Sequence, residues 1–411
     1  MNIKKSKYSK VIVIIGAGAA GFFSAIYNKC NNPTSKVIIL ERSANVLSKV
    51  KISGGGRCNV THACFDPKQL CSYYPRGAKA LLSVFYRFQP QDTMKWFQDR
   101  GVKLKIEDDN RVFPVSNKSQ SIIDCLQKEA TKLNIEIRTQ IAIRSIKKNT
   151  ADFNIKLDDS KSLTCQKLIL ATGSNKIGYD WAKALGHTIK QPVPSLFTFK
   201  VSDSKLHKLS GLSVTNVGVS LEGQKKQTHY GPLLVTHWGL SGPAIIKCSA
   251  WHAKILFEKK YQTTCRIDWI PSLTQQELTE KLHIFKNKNP QKKVSTLSVL
   301  DVIPTRLWIY LLEKIKVDLN RTWNCLTTKE LNKIAEELHS CKMSISGKGI
   351  FKEEFVTCGG VDLNEIEFKT MESKRCKGLH IIGELLDIDG ITGGFNFQNA
   401  WSTGYVSGLA N

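Results

Sequence analysis

Apolar positions are spaced in different ways along this chain, and each spacing marks a region. Near the N-terminus five apolar residues in a row, Val11-Ile12-Val13-Ile14-Ile15, read as a strand buried on both faces. Val37-Ile38-Ile39-Leu40 is a second such run, ending in Glu41, and strand-like runs follow over residues 135–146, 153–157 and 167–171. Between them apolar residues recur at helical spacing over 78–88 and 93–100, the latter closed by Gly101. A further helix starts at Ser116 or Asn117 and runs through Ile122, Ile123, Leu126 and Ala130. After Pro192 and Pro194 the texture changes to short alternating strands, such as Val214-Thr215-Asn216-Val217-Gly218-Val219-Ser220-Leu221. Residues 274–343 are helical in pattern: Leu278, Leu282 and Phe285 share a face, as do Leu307, Tyr310 and Leu311, and Thr327 or Thr328 caps another helix. The end of the chain returns to a strand, Leu379-His380-Ile381-Ile382, and a helix over 398–409 with small residues at Ala400, Gly404 and Gly408. The prediction is an α/β fold. A Rossmann-like domain forms from residues 1–192 and 347–411, with an inserted β-barrel over 193–270 and a helical part over 271–346.

The segment after the first strand gives this pattern a chemistry. Gly16-Ala17-Gly18-Ala19-Ala20-Gly21 has the G-x-G-x-x-G order of a dinucleotide-binding turn. Gly16 permits the tight turn, Gly18 a close approach to a pyrophosphate, and Gly21 the packing of the next helix, whose N-terminus faces the phosphates. Glu41, 20 residues after Gly21, is placed to accept hydrogen bonds from ribose hydroxyls. Arg42 is a candidate neighbour of the adenine. Three consecutive glycines in Ser53-Gly54-Gly55-Gly56-Arg57-Cys58-Asn59 offer backbone N–H groups, and Arg57 a charge-assisted donor. Ala171-Thr172-Gly173 ends a strand with a glycine able to pass close to a cofactor, and Gly393-Gly394-Phe395-Asn396 leads into the last helix. Gly347-Lys348-Gly349 lacks the third glycine, so no separate nicotinamide domain is expected.

Composition narrows the picture. No apolar run at the N-terminus is long enough to span a bilayer and no cleavage signal is seen, so a cytoplasmic protein with no membrane partner is expected. The 12 cysteines include no CxxC pair, which argues against a zinc ribbon or a redox pair, and no metal is expected. The net charge of +25 raises a nucleic-acid partner. Its lysines are dispersed, densest at Lys4-Lys5 to Lys10, Lys254 to Lys260 and Lys286 to Lys293, without the interleaved Arg and aromatics of a base-stacking surface. A small-molecule substrate is therefore the first expectation and an RNA-acting protein the alternative; a dinucleotide-holding protein without turnover is a third reading. The oligomeric state is not legible.

Several of these blocks, in this order, resemble a family of bacterial flavoproteins labelled aminoacetone oxidase-family or BaiN-type FAD-binding proteins. The resemblance rests on Lys51-Ile52-Ser53-Gly54-Gly55-Gly56-Arg57-Cys58-Asn59-Val60-Thr61, Arg111-Val112-Phe113-Pro114-Val115-Ser116, Thr236-His237-Trp238-Gly239-Leu240-Ser241-Gly242-Pro243 and Cys358-Gly359-Gly360-Val361. Thr370-Met371-Glu372-Ser373-Lys374 and the run from Gly383 to Asn396 complete it. It implies non-covalent FAD in a glutathione-reductase-like domain and an FAD-dependent oxidoreductase, with amine oxidation or reduction of an unsaturated substrate suggested and NAD(P)H as a transient donor. It implies cofactor contacts at Gly16, Gly18, Ala19, Ala20, Gly21, Glu41, Arg42, Gly56, Arg57, Cys58, Asn59, Ile143, Ala171, Thr172, Gly173, Gly383, Glu384, Gly393, Gly394, Phe395 and Asn396. Arg57, Cys58 and His237 are the candidates for catalysis. The family has Tyr where Phe395 stands, so this ring brings no hydroxyl. Asp387 and Asp389 read as turn residues rather than metal ligands.

Overall fold

The computed structural model describes residues 9–158, 161–224, 226–296, 300–349 and 356–410. Lys4 and Lys5 lie outside the described residues. The chain divides into two compact units, residues 1–192 with 356–411, and residues 193–355.

The first unit is built on a seven-stranded sheet. Its five parallel strands run in spatial order Glu136–Arg138, Lys36–Leu40, Val11–Ile15, Lys167–Leu170, Leu379–Ile381. Numbered along the chain, that is 3-2-1-4-5, so the strand order reverses between Val11–Ile15 and Lys167–Leu170. A crevice opens at such a reversal beyond the carboxyl ends of the strands. Two short antiparallel strands, Ile366–Glu367 and Glu372–Ser373, extend the sheet past Leu379–Ile381. The run expected over 135–146 is two strands. Gln140 takes a left-handed φ of 57°, which breaks it into Glu136–Arg138 in the parallel sheet and Ile143–Lys148 in an antiparallel one. The helix expected from Ser116 or Asn117 begins later, as Gln120–Lys132, because Asn117 is itself left-handed at φ 50°.

The first helix, Ala19–Asn31, packs along the last, Phe395–Leu409, so the two ends of the chain meet. The contact is close because the small residues face it: a Cβ on Gly404 would lie 2.8 Å from the Ala20 carbonyl oxygen, and one on Gly408 2.3 Å from Tyr27 Cβ. The helix Lys176–Ala184, capped by the Asn175 side chain, has no counterpart among the elements expected from periodicity.

The second unit holds a closed six-stranded antiparallel barrel. Helices Gln275–Lys288, Thr305–Lys314 and Thr328–His339 come between its fifth strand in sequence, Thr263–Asp268, and its sixth, Cys341–Lys348. That last strand pairs with both Thr263–Asp268 and Phe199–Val201 and closes the barrel. Residues 341–348 thus belong to the barrel, which corrects the expected border at 346/347. Thr327 rather than Thr328 caps its helix, in a reciprocal capping box with Glu330. Helices Pro243–Trp251 and Ala253–Glu258 interrupt the region read as all strand; the first buries Ala244, Ile245, Cys248 and Ala250, an apolar run that periodicity does not separate from a buried strand. Among the described residues no helix is long and apolar enough to cross a membrane.

Candidate cofactor site

The sharp turn after Val11–Ile15 lies at the reversal of strand order. Gly16 has φ 107°, and a Cβ there would stand 2.4 Å from the Ala171 carbonyl oxygen, across the crevice. A Cβ on Gly21 would stand 2.0 Å from the Gly16 carbonyl oxygen, so this glycine lets the helix sit on the turn. Gly18 differs: a Cβ there meets nothing within 4 Å. The Ala19–Asn31 helix starts at that open point with no side-chain cap and no acid in its first turn. Its uncapped N–H groups and the positive end of its dipole face the cradle.

Glu41 closes one side. Its carboxylate accepts from the Ala17 N–H at 2.9 Å and from the N–H and hydroxyl of Ser43 at 2.9 and 2.7 Å. Ile141 N–H donates to the Glu41 carbonyl at 2.8 Å, which brings the start of the Ile143–Lys148 strand to the same end. Arg42 is exposed, and Ile143 is buried. On the other side Gly383, with φ 67°, lies against Ala20, and its N–H donates to the Thr403 hydroxyl at 3.0 Å. Glu384 is held by the Lys49 ammonium at 2.5 Å, which also reaches Ser174 at 3.3 Å. Gly173 is left-handed at φ 61°, with a Cβ position 3.6 Å from that carboxylate.

The glycine loop continues from Lys49. Gly54, Gly55 and Gly56 are all left-handed, at φ 56°, 67° and 83°, and open space surrounds the last two. Arg57 lies over the Phe113 ring at 3.9 Å and pairs with Glu107 at 2.7 Å. Lys105 approaches the same carboxylate at 3.8 Å and Arg111 at 3.5 Å, and Arg111 also pairs with Asp109 at 2.6 Å, so the guanidinium of Arg57 is held within a network of ion pairs. Asn59, its carboxamide oriented to satisfy both neighbours, donates to the Thr61 carbonyl at 2.9 Å and accepts from the Gly394 N–H at 3.0 Å. The loop is thereby tied to the start of the last helix.

Several expected contacts need correction. An atom that touches a bound group has accessible surface when that group is absent. Cys58 has 0% and Phe395 1%. Burial pushes the Cys58 thiol up to about 12, so it is neither a contact nor a catalytic thiolate. Phe395 packs, stacked on Tyr73 at 4.5 Å between ring centroids. The Gly394 N–H is taken by Asn59, and the Asn396 carboxamide is locked onto both backbone groups of Gly390 at 2.8 Å, so neither is free for a ligand. Gly393 is half-buried and its carbonyl lies 3.2 Å from His62 Nδ1. The Thr172 hydroxyl is buried. His237 and Trp238 form the two-residue turn of a barrel hairpin, with His237 exposed. Asp389 is fully buried and paired with Arg76, whose Nε donates to it at 2.5 Å, and Asp387 lies 3.3 Å from Lys190. Lys49 and Arg76 escaped sequence reasoning because a single cation in a chain with 60 Lys and Arg carries no mark.

The cradle at Gly18, the uncapped helix, the acid that ends the second strand and the strand-order reversal define a dinucleotide-binding α/β protein with an inserted barrel. The family described as HI0933-like protein Rossmann domain matches residues 10–410, and the chain belongs to it: it is an FAD-dependent oxidoreductase. A relative from Clostridium scindens, the 3-dehydro-bile acid delta(4,6)-reductase, is 28% identical over 408 residues, covering 97% of this chain and 98% of its own. The ribosomal RNA dihydrouridine synthase of Haemophilus influenzae is 29% identical over 418 residues, covering 98% and 99%. In fold alone, the chain is similar to the 3-ketosteroid delta1-dehydrogenase of Sterolibacterium denitrificans, with a TM-score of 0.50, 9% identity and coverage of 97% and 99%.

Proposed function

We propose that this protein reduces a carbon–carbon double bond conjugated to a carbonyl, and that its substrate is a uracil base in RNA. One observation carries the reaction: two relatives aligned over nearly the whole chain have names that differ in substrate but share a chemistry. A steroid delta(4,6)-reductase acting on a 3-keto compound and a dihydrouridine synthase both saturate such a bond. The net charge of +25 favours the polyanionic substrate over the steroid. The alternative raised from the charge is thus preferred to the small molecule first expected.

FAD, bound without a covalent link, would supply the hydride chemistry at this site. The chain's own groups do the rest. Gly18 and the N-terminus of Ala19–Asn31 take the pyrophosphate, and Glu41 the ribose. Arg57, steadied by Glu107 and Phe113, offers charge-assisted donors to a carbonyl oxygen that gains electron density. Saturation adds one hydride and one proton, and NAD(P)H restores the electrons.

The test uses purified holoprotein with NADH or NADPH under argon, given ribosomal RNA transcript in one arm and a 3-keto-4-ene steroid in the other. A gain of two hydrogens per uridine, read by nucleoside mass spectrometry, is expected in the RNA arm. Steroid reduction alone overturns the substrate, and reduction of neither overturns the reaction.

A further inference from the structure

A second concave site lies at the opposite end of the parallel strands. The glycine turn follows their C-terminal ends; this pocket lies where Val11–Ile15, Lys167–Leu170 and Leu379–Ile381 begin. At roughly 3.3 Å per residue, a strand of this length sets the two about 15 Å apart. The pocket has a volume of about 360 Å³, and Lys10, Lys148, Lys167 and Lys377 line it with one acid, Glu372.

The charges in it are poorly balanced. Among the described residues Lys10, Lys148 and Lys377 make no ion pair. The Glu372 carboxylate accepts from the Gly378 N–H at 2.7 Å, which fixes it to the wall. Lys148 is set 4.2 Å from the centre of the Phe153 ring. Lys167 is buried, and its ammonium donates to Asn28, Ser407 and Ala410. Burial, with the nearby charge of Lys10, brings it down to about 7. His380 beside it is held at about 3, first by burial and then by Lys167, with Lys10 adding to the effect. Cations gathered in one concavity with a single acid repel one another, and an anion bound among them relieves that repulsion.

We propose that this pocket binds a phosphate group, and that in the working complex the phosphate belongs to the RNA backbone. The second half rests on the uracil reading above; the first does not. Ammonium groups suit this task as point charges around a tetrahedral anion, and a phosphate gripped away from the reacting base positions the RNA without reading its sequence.

The test compares holoprotein carrying Lys148→Gln with Lys377→Gln against a control carrying Lys147→Gln with Lys156→Gln. The control pair is exposed on the same hairpin and outside the pocket. In one arm inorganic phosphate replaces chloride at fixed ionic strength. Phosphate is expected to raise the Tm of wild type and control but not of the pocket variant. In the other arm a labelled RNA hairpin is titrated across a salt series. The pocket variant is expected to bind about tenfold more weakly at 0.1 M salt, with a log–log salt slope lower by about 1. Equal behaviour of pocket variant and wild type in both arms overturns the site, as does an equal loss in the control. A phosphate effect with an unchanged RNA slope assigns the pocket to free phosphate and overturns the RNA half. If wild type binds no RNA, the uracil reading falls and the phosphate arm alone decides the pocket.

Discussion

In the inserted unit the largest fully buried side chains are Trp269, Trp308 and Trp323, set among barrel residues such as Val217, Val219, Leu233 and Ile267 and helix residues such as Leu282 and Leu331. The sheet unit also buries large apolar groups, Trp401, Phe22 and Phe23 among them, but Lys167, His187, Glu365, Asp389 and Gln398 are set into its interior. Each is engaged. The Lys167 ammonium donates to Asn28 Oδ1 at 2.9 Å and to the carbonyls of Ser407 and Ala410, joining the C-terminal parts of the first and last helices. Glu365 accepts from Arg375 at 2.7 Å and lies 3.0 Å from His187. Apolar contacts tolerate several arrangements of similar energy, whereas buried hydrogen bonds and ion pairs are satisfied in one. The left-handed glycines of the cofactor site also belong to the sheet unit. One unit is thus specified by directional contacts around a ligand cradle, the other by apolar volume.

The strongest way to break this contrast is Trp308→Ala. The indole is 0% exposed and its Nε1 donates to the Val294 carbonyl at 2.8 Å. Removing it is expected to cost about 3–5 kcal/mol. Denaturant unfolding should show that loss, while the flavin spectrum of the folded protein stays as in wild type. A flavin spectrum that collapses in proportion to stability would mean the units do not divide the work.

Gly18→Val should do the opposite. Gly18 has φ −90° and ψ −171°, a conformation open to any residue, and its Cβ position is free. The fold should persist. Two branched methyls would occupy the cradle, and the loss of one or two charge-assisted hydrogen bonds, about 3 kcal/mol in all, weakens FAD by about 100-fold. The purified variant should have a wild-type circular dichroism spectrum and little flavin absorbance. Bound flavin at full occupancy would overturn the assignment of the turn.

The same contrast explains what could be read from residues alone. Val11–Ile15, the glycine turn and Glu41 were legible because each requirement falls on neighbouring residues: a doubly buried strand, a backbone that admits no Cβ, an acid at the end of the next strand. The barrel was legible as alternation, but its closing strand Cys341–Lys348 was not, because three helices separate it from the strand it joins. Expected contacts failed at Cys58, Gly394 and Phe395 because a motif says which residues occur together and not which atoms are already paired. Arg76 and Asp389 are 313 positions apart, and no local spacing announces such a pair.

Acid should act on both units through buried histidines. Burial, with Lys167, holds His380 at about 3 in the sheet unit; burial, with His252 and Lys247, holds His229 at about 4 in the inserted unit. In the unfolded chain an imidazole titrates near 6.5. Below that value the unfolded chain takes up protons that the folded one refuses. Stability is therefore complete above about pH 6.5 and falls as pH drops, toward about 3 for His380 and about 4 for His229, by at most ~1.4 kcal/mol per pH unit for each group. Melts between pH 7 and 4.5, followed by flavin release and by tryptophan emission, should show both declines. His380→Gln should flatten the first and His229→Gln the second; a variant with the wild-type acid limb would remove that histidine from the account.

The smallest effect sharpens the contrast at one residue. Arg57 is about a third exposed in its side chain, so its pair with Glu107 adds little to folding, about 0–1 kcal/mol. Its stacking on Phe113 adds about 0.5–1 kcal/mol at such a site. If Arg57 were only part of the scaffold, Arg57→Ala would lower the Tm slightly and leave the reaction alone. If it serves the reacting carbonyl, the Tm shift stays small while turnover falls severalfold or more, and Arg57→Lys, which keeps the charge but not the planar fork, recovers only part of it. Stopped-flow traces separate the two outcomes, since in the proposed reaction flavin reduction by NAD(P)H is read before flavin oxidation by substrate. A slowed second phase with an unchanged first places the guanidinium at the substrate; unchanged rates in both phases would reduce the glycine loop to a structural turn.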